Sequence, residues 1–118
     1  MLTISYDEGV NTGRVNPCKL VQLLSENPAK IFGFYPQKGT IQKGADADLV
    51  LFDPNQVQTI QSKTQHSKVS YTVYEGKKCL GMPVLVMQRG KILVENGEMK
   101  GKSGNGKFLQ TKITKAKC

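Results

Sequence analysis

A mainly β domain with two short helices at its N-terminal end is what this sequence predicts, and three observations carry that prediction. The run Leu49-Val50-Leu51-Phe52 is continuously apolar, made of strand-forming types, and bounded by Asp48 and by Asp53-Pro54. Such a run is too short for a helix and reads as a strand buried on both faces. From residue 57 onward, short apolar stretches alternate with two-residue turn signals. Before residue 36, two Asn-Pro pairs announce helix starts.

Taken in order, Tyr6 to Gly13 is turn-rich. Asn16 caps a first helix with Pro17 in its first turn, and Leu20, Val21, Leu23 and Leu24 lay an apolar stripe along it to about Ser25. Asn27-Pro28 repeats the signal for a second helix through Ala29, Ile31 and Phe32, which stops at Gly33 as a left-handed cap. Phe34-Tyr35-Pro36 continues as a non-helical cover. Gly39 and Gly44 punctuate the approach to the strand, and Pro54 ends its pairing because it has no N–H to donate.

Val57 to Ile60 alternates as a half-buried strand does, Ser62 to Ser70 reads as loop, and Tyr71 to Tyr74 favours extended structure. Val84 to Met87, a turn at Arg89-Gly90 and a return over Lys91 to Val94 make the clearest hairpin. Asn96-Gly97 marks a second tight turn leading to a short strand around Met99. The chain is therefore expected to divide into residues 1–36, the helices; 37–99, the sheet; and 100–118, a basic flexible tail carrying one anchor, Phe108-Leu109.

Composition narrows the function. The 118 residues carry a formal charge of +8, and residues 100–118 hold six lysines and no acidic residue. With only Phe108 among those lysines, the tail reads as a solvated terminus, and nucleic-acid binding is disfavoured. Gly101 to Lys107 has the glycine and lysine spacing of a phosphate-binding loop, but Phe108 stands where a Ser or Thr is needed. Cys18, Cys79 and Cys118 have no paired spacing, so free thiols in a reducing compartment are expected. No apolar segment approaches the roughly 18 residues that span a membrane, and the first residues lack a signal-peptide pattern. The expected location is the cytoplasm.

Several pieces, in order, resemble the C-terminal part of the dihydropyrimidinase and hydantoinase branch of the amidohydrolases. These are Asn27-Pro28-Ala29-Lys30-Ile31-Phe32, Pro36-Gln37-Lys38-Gly39-Thr40-Ile41 and Gly44-Ala45-Asp46-Ala47-Asp48-Leu49-Val50. Thr64-Gln65-His66, Tyr74-Glu75-Gly76, Gly81 to Val84, Arg89-Gly90-Lys91 and Gly104 to Phe108 continue the match. The resemblance implies part of a composite β-sandwich domain without the TIM barrel that carries catalysis. It implies that residues 1–36 are the last helices of that barrel, with Leu20, Leu23, Leu24, Ile31 and Phe32 short of partners.

The resemblance also implies two divalent metals, typically zinc, held in the barrel by ligands upstream of position 1. The chain has one histidine, His66, and it falls in a stretch outside the metal site. No catalytic or metal-binding residue is therefore expected here, and no cofactor in this chain. Expected subunit contacts are Phe108, Leu109, Leu20 and Leu24. Asn27, Gly39, Asp48, Asp53 and Gly90 are expected to be structural. The function implied is that of a C-terminal fragment or subunit of a metal-dependent cyclic amidohydrolase, inactive alone. It would assemble as a homo-oligomer or with a separate barrel-bearing chain. The alternative is a non-catalytic assembly module, like the collapsin response mediator proteins.

Overall fold

A computed structural model describes residues 1–111. Four antiparallel strands form one sheet in the order β1-β2-β3-β4: β1 is Leu49–Thr59, β2 Lys78–Gln88, β3 Lys91–Glu95 and β4 Glu98–Met99. The β2–β3 turn places Arg89 and Gly90 at φ 45° and 77°, and the β3–β4 turn places Asn96 and Gly97 at 49° and 81°. Two consecutive positive φ values twist a two-residue hairpin with its strands, and Asn and Gly reach them most easily.

Two helical segments precede the sheet, as expected, but they are divided differently. The turn-rich start is helical: α1, Leu2–Ser5, runs on into a π-helical segment, Tyr6–Asn11. The two expected helices form one run instead. It begins with α2, Pro17–Val21, passes through a π-helical segment, Gln22–Glu26, and ends with α3, Asn27–Ile31. Asn16 caps it, its side chain accepting the Lys19 N–H at 2.8 Å. Asn27 is no cap; its backbone is helical and its N–H reaches Gln22. Pro28, which cannot donate in an α-helical ladder, follows directly on the wider π segment. Gly33, at φ 72°, then ends the run. Its N–H donates to Lys30 and that of Phe34 to Ala29, a paired closure that satisfies the last carbonyls.

The strand over residues 49–52 departs from expectation twice. Val50 is 49% and Leu51 55% exposed, so the run is not buried on both faces. Burial of an apolar run depends on layers from elsewhere, and the described residues supply too few. Pairing is interrupted at Pro54, as expected, but it then resumes within the same strand. β1 leaves its register after Asp53, opposite Met82, and resumes at Val57, opposite Leu80. The three residues between form a bulge, and since β1 is the sheet's edge, the missing proline donor is harmless there. Tyr71 to Tyr74 is not a strand, with Val73 and Tyr74 in a turn, because no neighbouring strand pairs with it.

The helices bind the sheet through β2. β3 pairs only as far back as Leu85, which leaves Leu80 without a ladder partner on that side. Asp7 and Asn11 take that place: Asp7 Oδ1 accepts the Leu80 N–H at 3.1 Å, and Asn11 Nδ2 donates to the Leu80 carbonyl at 3.0 Å. The Leu80 N–H, and then the Asn11 amide, hold the Asp7 carboxyl below its ordinary value of 3.8. A carboxylate lowered by folding stabilises above its unfolded pKa and loses that effect as pH falls through the lowered value. Asp7→Ala should therefore weaken the fold at neutral pH and converge on the parent in acid, as urea unfolding at several pH values would show.

Among the described residues, buried apolar side chains are few: Leu20, Ala29, Ile60 and Cys79. A compact chain of this size exposes about 6,300 Å², whereas this one exposes 9170 Å². Leu23, Leu24, Ile31 and Phe32 lie open as expected, but Leu20 is only 6% exposed. The first helical segment packs against this part of the run, so Leu20 has partners within the chain.

Candidate functional site

Between the long helical run and β1 lies an apolar groove of about 610 Å³. Pro17, Leu20, Val21 and Leu24 line its helical side, and Leu49, Val50 and Phe52 its strand side. The stripe of α2 faces the strand because apolar residues three and four apart share one helix face. Tyr6 packs against Phe52, with ring centroids 4.6 Å apart and planes tilted by 48°.

Gly39, in the segment between α3 and β1, sets how closely that segment approaches the helical run. At φ 81° its backbone passes so near α3 that a Cβ there would sit 2.5 Å from that of Ala29 and 3.0 Å from the Ser25 carbonyl oxygen. Only glycine fits both the conformation and the space.

Lys38, Asp46 and Asp48 form the charged part of the wall. The Lys38 ammonium pairs with Asp46 at 2.8 Å and with Asp48. Asp46 also accepts from the Gln37 amide at 3.2 Å, and Asp48 accepts the Arg89 N–H at 2.8 Å. One lysine thus joins the segment after the helices, the approach to β1 and the tip of the β2–β3 hairpin. Partial burial works against charge on Lys38, but hydrogen bonds to Asp46 and Asp48 outweigh it and raise its pKa. The same contact, helped by Gln37, lowers that of Asp46. Lys38 and Asp46 thus stay ionised at neutral pH, and the knot keeps water-seeking groups paired beside an apolar groove.

Of the residues singled out in the sequence, the groove brings together Leu20, Leu24, Gly39 and Asp48. Gly90 lies at the hairpin tip, its N–H donating to Ala47 at 3.0 Å, and Asp53 accepts the Asn55 N–H at 2.9 Å across the bulge. Asn27 sits within the helical run. Phe108 is 95% exposed and Leu109 half-buried, both away from the groove. Sequence reasoning missed Tyr6, Lys38 and Phe52 as partners in one wall. Lys38 alone left a trace, as the cation just before a glycine and a few residues before two aspartates.

The chemistry of the side chains does not suit a metal pair. Among the described residues, no three of His, Cys, Asp and Glu converge as ligands. Asp46 and Asp48 are held by Lys38, and His66 donates from Nε2 to the Gly97 carbonyl at 3.1 Å. Cys79 is buried, and burial, reinforced by the nearby Asp7 charge, pushes its thiol pKa up, away from a nucleophile's. Cys18 is exposed, and Cys118 lies outside the described residues. No described helix is long and apolar enough to cross a membrane.

Residues 2–93 match the amidohydrolase family model. The chain is 45% identical over 103 residues to a D-hydantoinase of Ralstonia pickettii, covering 87% of this chain and 22% of that enzyme. To a dihydropyrimidinase of Rattus norvegicus it is 38% identical over 108 residues, covering 92% of this chain and 21% of that one. Among solved structures, a D-hydantoinase matches 92% of the chain and 23% of its own length with a TM-score of 0.88 at 44% identity. An L-hydantoinase (dihydropyrimidinase) of Arthrobacter aurescens matches 83% of the chain and 22% of its own length, with a TM-score of 0.79 at 41% identity. The chain spans about a fifth of the length of the curated relatives it matches.

Proposed function

This chain belongs to the amidohydrolase family, in its dihydropyrimidinase and hydantoinase branch, and on that premise we propose that it is the sheet module of a metal-dependent cyclic amidohydrolase. It docks through the groove onto the part of the enzyme that hydrolyses the cyclic amide C–N bond, and it is inactive alone. The observation that carries this reading is a family fold, matched over 92% of the chain, that leaves an apolar groove open. A groove walled by Val21, Leu24 and Val50 gains by burial against a second body. The two metals belong to that body, since the donors here do not fit them.

In the assembled enzyme the sheet forms half of a sandwich, β1 offering its free edge, and Phe108 and Leu109 contact a neighbouring subunit. The cytoplasm is where such an assembly works. The test is hydrolysis of dihydrouracil and hydantoin with added zinc or manganese. It compares the chain alone with the chain mixed with the Ralstonia pickettii D-hydantoinase lacking the region that this chain matches. We expect no turnover alone and turnover restored on mixing. Turnover by the chain alone would overturn the reading. So would failure of the two parts to associate by mass measurement. Association without restored turnover would point to the assembly-module alternative.

A further inference from the structure

Two Asn-Gly pairs, Asn96-Gly97 and Asn105-Gly106, sit in opposite surroundings. Asn96 is held in a tight turn at φ 49°, between the paired Glu95 and Glu98, with its N–H donating to Val84 at 2.8 Å. His66 donates to the Gly97 carbonyl, one peptide beyond the bond that joins the pair. Asn105 lies in a loop without ladder partners, between Lys102 and Lys107 in sequence. Arg89 Nη2 donates to the Asn105 carbonyl itself, and Asn105 Nδ2 donates to the Lys102 carbonyl at 3.1 Å.

We propose that Asn105-Gly106 is a site of spontaneous backbone modification, converting to aspartate and isoaspartate while Asn96-Gly97 stays intact. The step begins when the Gly106 amide loses its proton to solvent hydroxide. Its nitrogen attacks Asn105 Cγ, a new C–N bond closes a five-membered imide, and the side-chain nitrogen leaves as ammonia. Water then opens the imide at either carbonyl, giving aspartate or isoaspartate. The net change is one water consumed and one ammonia released.

The charge of the ionised amide rests largely on the Asn105 carbonyl oxygen, where the Arg89 guanidinium already donates. Hydrogen bonding and cationic neighbours favour the ionised form, whereas at the other pair Glu95 opposes it and Glu98 does so less, being paired with Lys100 at 2.7 Å. The hairpin fixes Asn96, and glycine's freedom in an unpaired loop lets the nitrogen of Gly106 approach. Opening the imide leaves a carboxylate beside Arg89, and isoaspartate adds a methylene to the backbone just before Phe108.

The test is peptide mapping of the full chain aged at mildly alkaline pH and physiological temperature. It follows residues 103–107 against 92–100. One unit of amide acidity is about tenfold in the ionised fraction, so conversion at Asn105 should run about tenfold ahead of Asn96. In concentrated urea the difference should shrink, and Arg89→Gln or Lys102→Gln should slow Asn105 severalfold. Asn96, slow only while its hairpin persists, reports that each variant is folded. Equal rates in the folded chain would overturn the proposal. So would faster conversion at Asn96, or an Arg89→Gln variant with slow Asn96 and unchanged Asn105.

Discussion

Gly39→Ala should cost the fold about 3 kcal/mol, from roughly 1 kcal/mol for left-handed backbone and 1–3 kcal/mol for overpacking. Its φ of 81° is strained for any side chain, and a Cβ would press within 2.5 Å of the buried Ala29 methyl. The segment leading to Lys38 cannot yield freely, because Lys38 is tied to Asp46 and Asp48. Gly44 supplies the comparison: φ is 92°, yet nothing lies within 4 Å of its Cβ position. Gly44→Ala should therefore lose only the backbone share, about 1 kcal/mol. Urea unfolding of both variants decides the matter. Equal losses would mean that the close approach of the Gly39 segment to the helical run contributes nothing.

The double variant Val21→Glu, Leu24→Glu should weaken docking onto a truncated hydantoinase by at least about a hundredfold. Apolar anchors at the centre of an interface contribute about 2 kcal/mol or more each, and 1.4 kcal/mol is a factor of ten. Both side chains line the groove yet are exposed in this chain, at 61% and 37%, so its own unfolding midpoint should hardly move. Lys63→Glu, a charge change of similar kind on the loop after β1, should leave affinity unaltered. Titration calorimetry reads the difference. Full affinity in the double variant would place docking elsewhere.

The features that the sequence made legible are those decided within a few residues. Asn16-Pro17, Gly33, Arg89-Gly90 and Asn96-Gly97 each act through local backbone geometry, and each does so here. What escaped depends on residues far apart in the chain. The helical start at Leu2 carries no strong apolar repeat; Asp7 and Asn11 hold it to Leu80, some seventy residues later. Tyr71 to Tyr74 has strand-forming side chains but no neighbour to pair with. The β1 run reads as doubly buried because its composition suits that fate, while Val50 and Leu51 stand open in this chain. For the groove, the stripe of Leu20 and Leu24 was legible. The facing wall of Tyr6, Lys38 and Phe52 was not, since no short-range pattern joins residues 6, 38 and 52.

The bulge in β1 has a meaning for storage and expression. An open apolar edge invites copies to add to one another indefinitely, growing a fibre one strand at a time. Dry fibrillar packing needs an uninterrupted strand of about six or seven residues without proline. Here the paired stretch ends at Asp53, directly before Pro54, and pairing resumes only for Val57, Gln58 and Thr59. Neither stretch is long enough to template a fibril, and the proline offers no amide to the next strand. The edge can accept one specific companion, yet it is poorly suited to stacking without end.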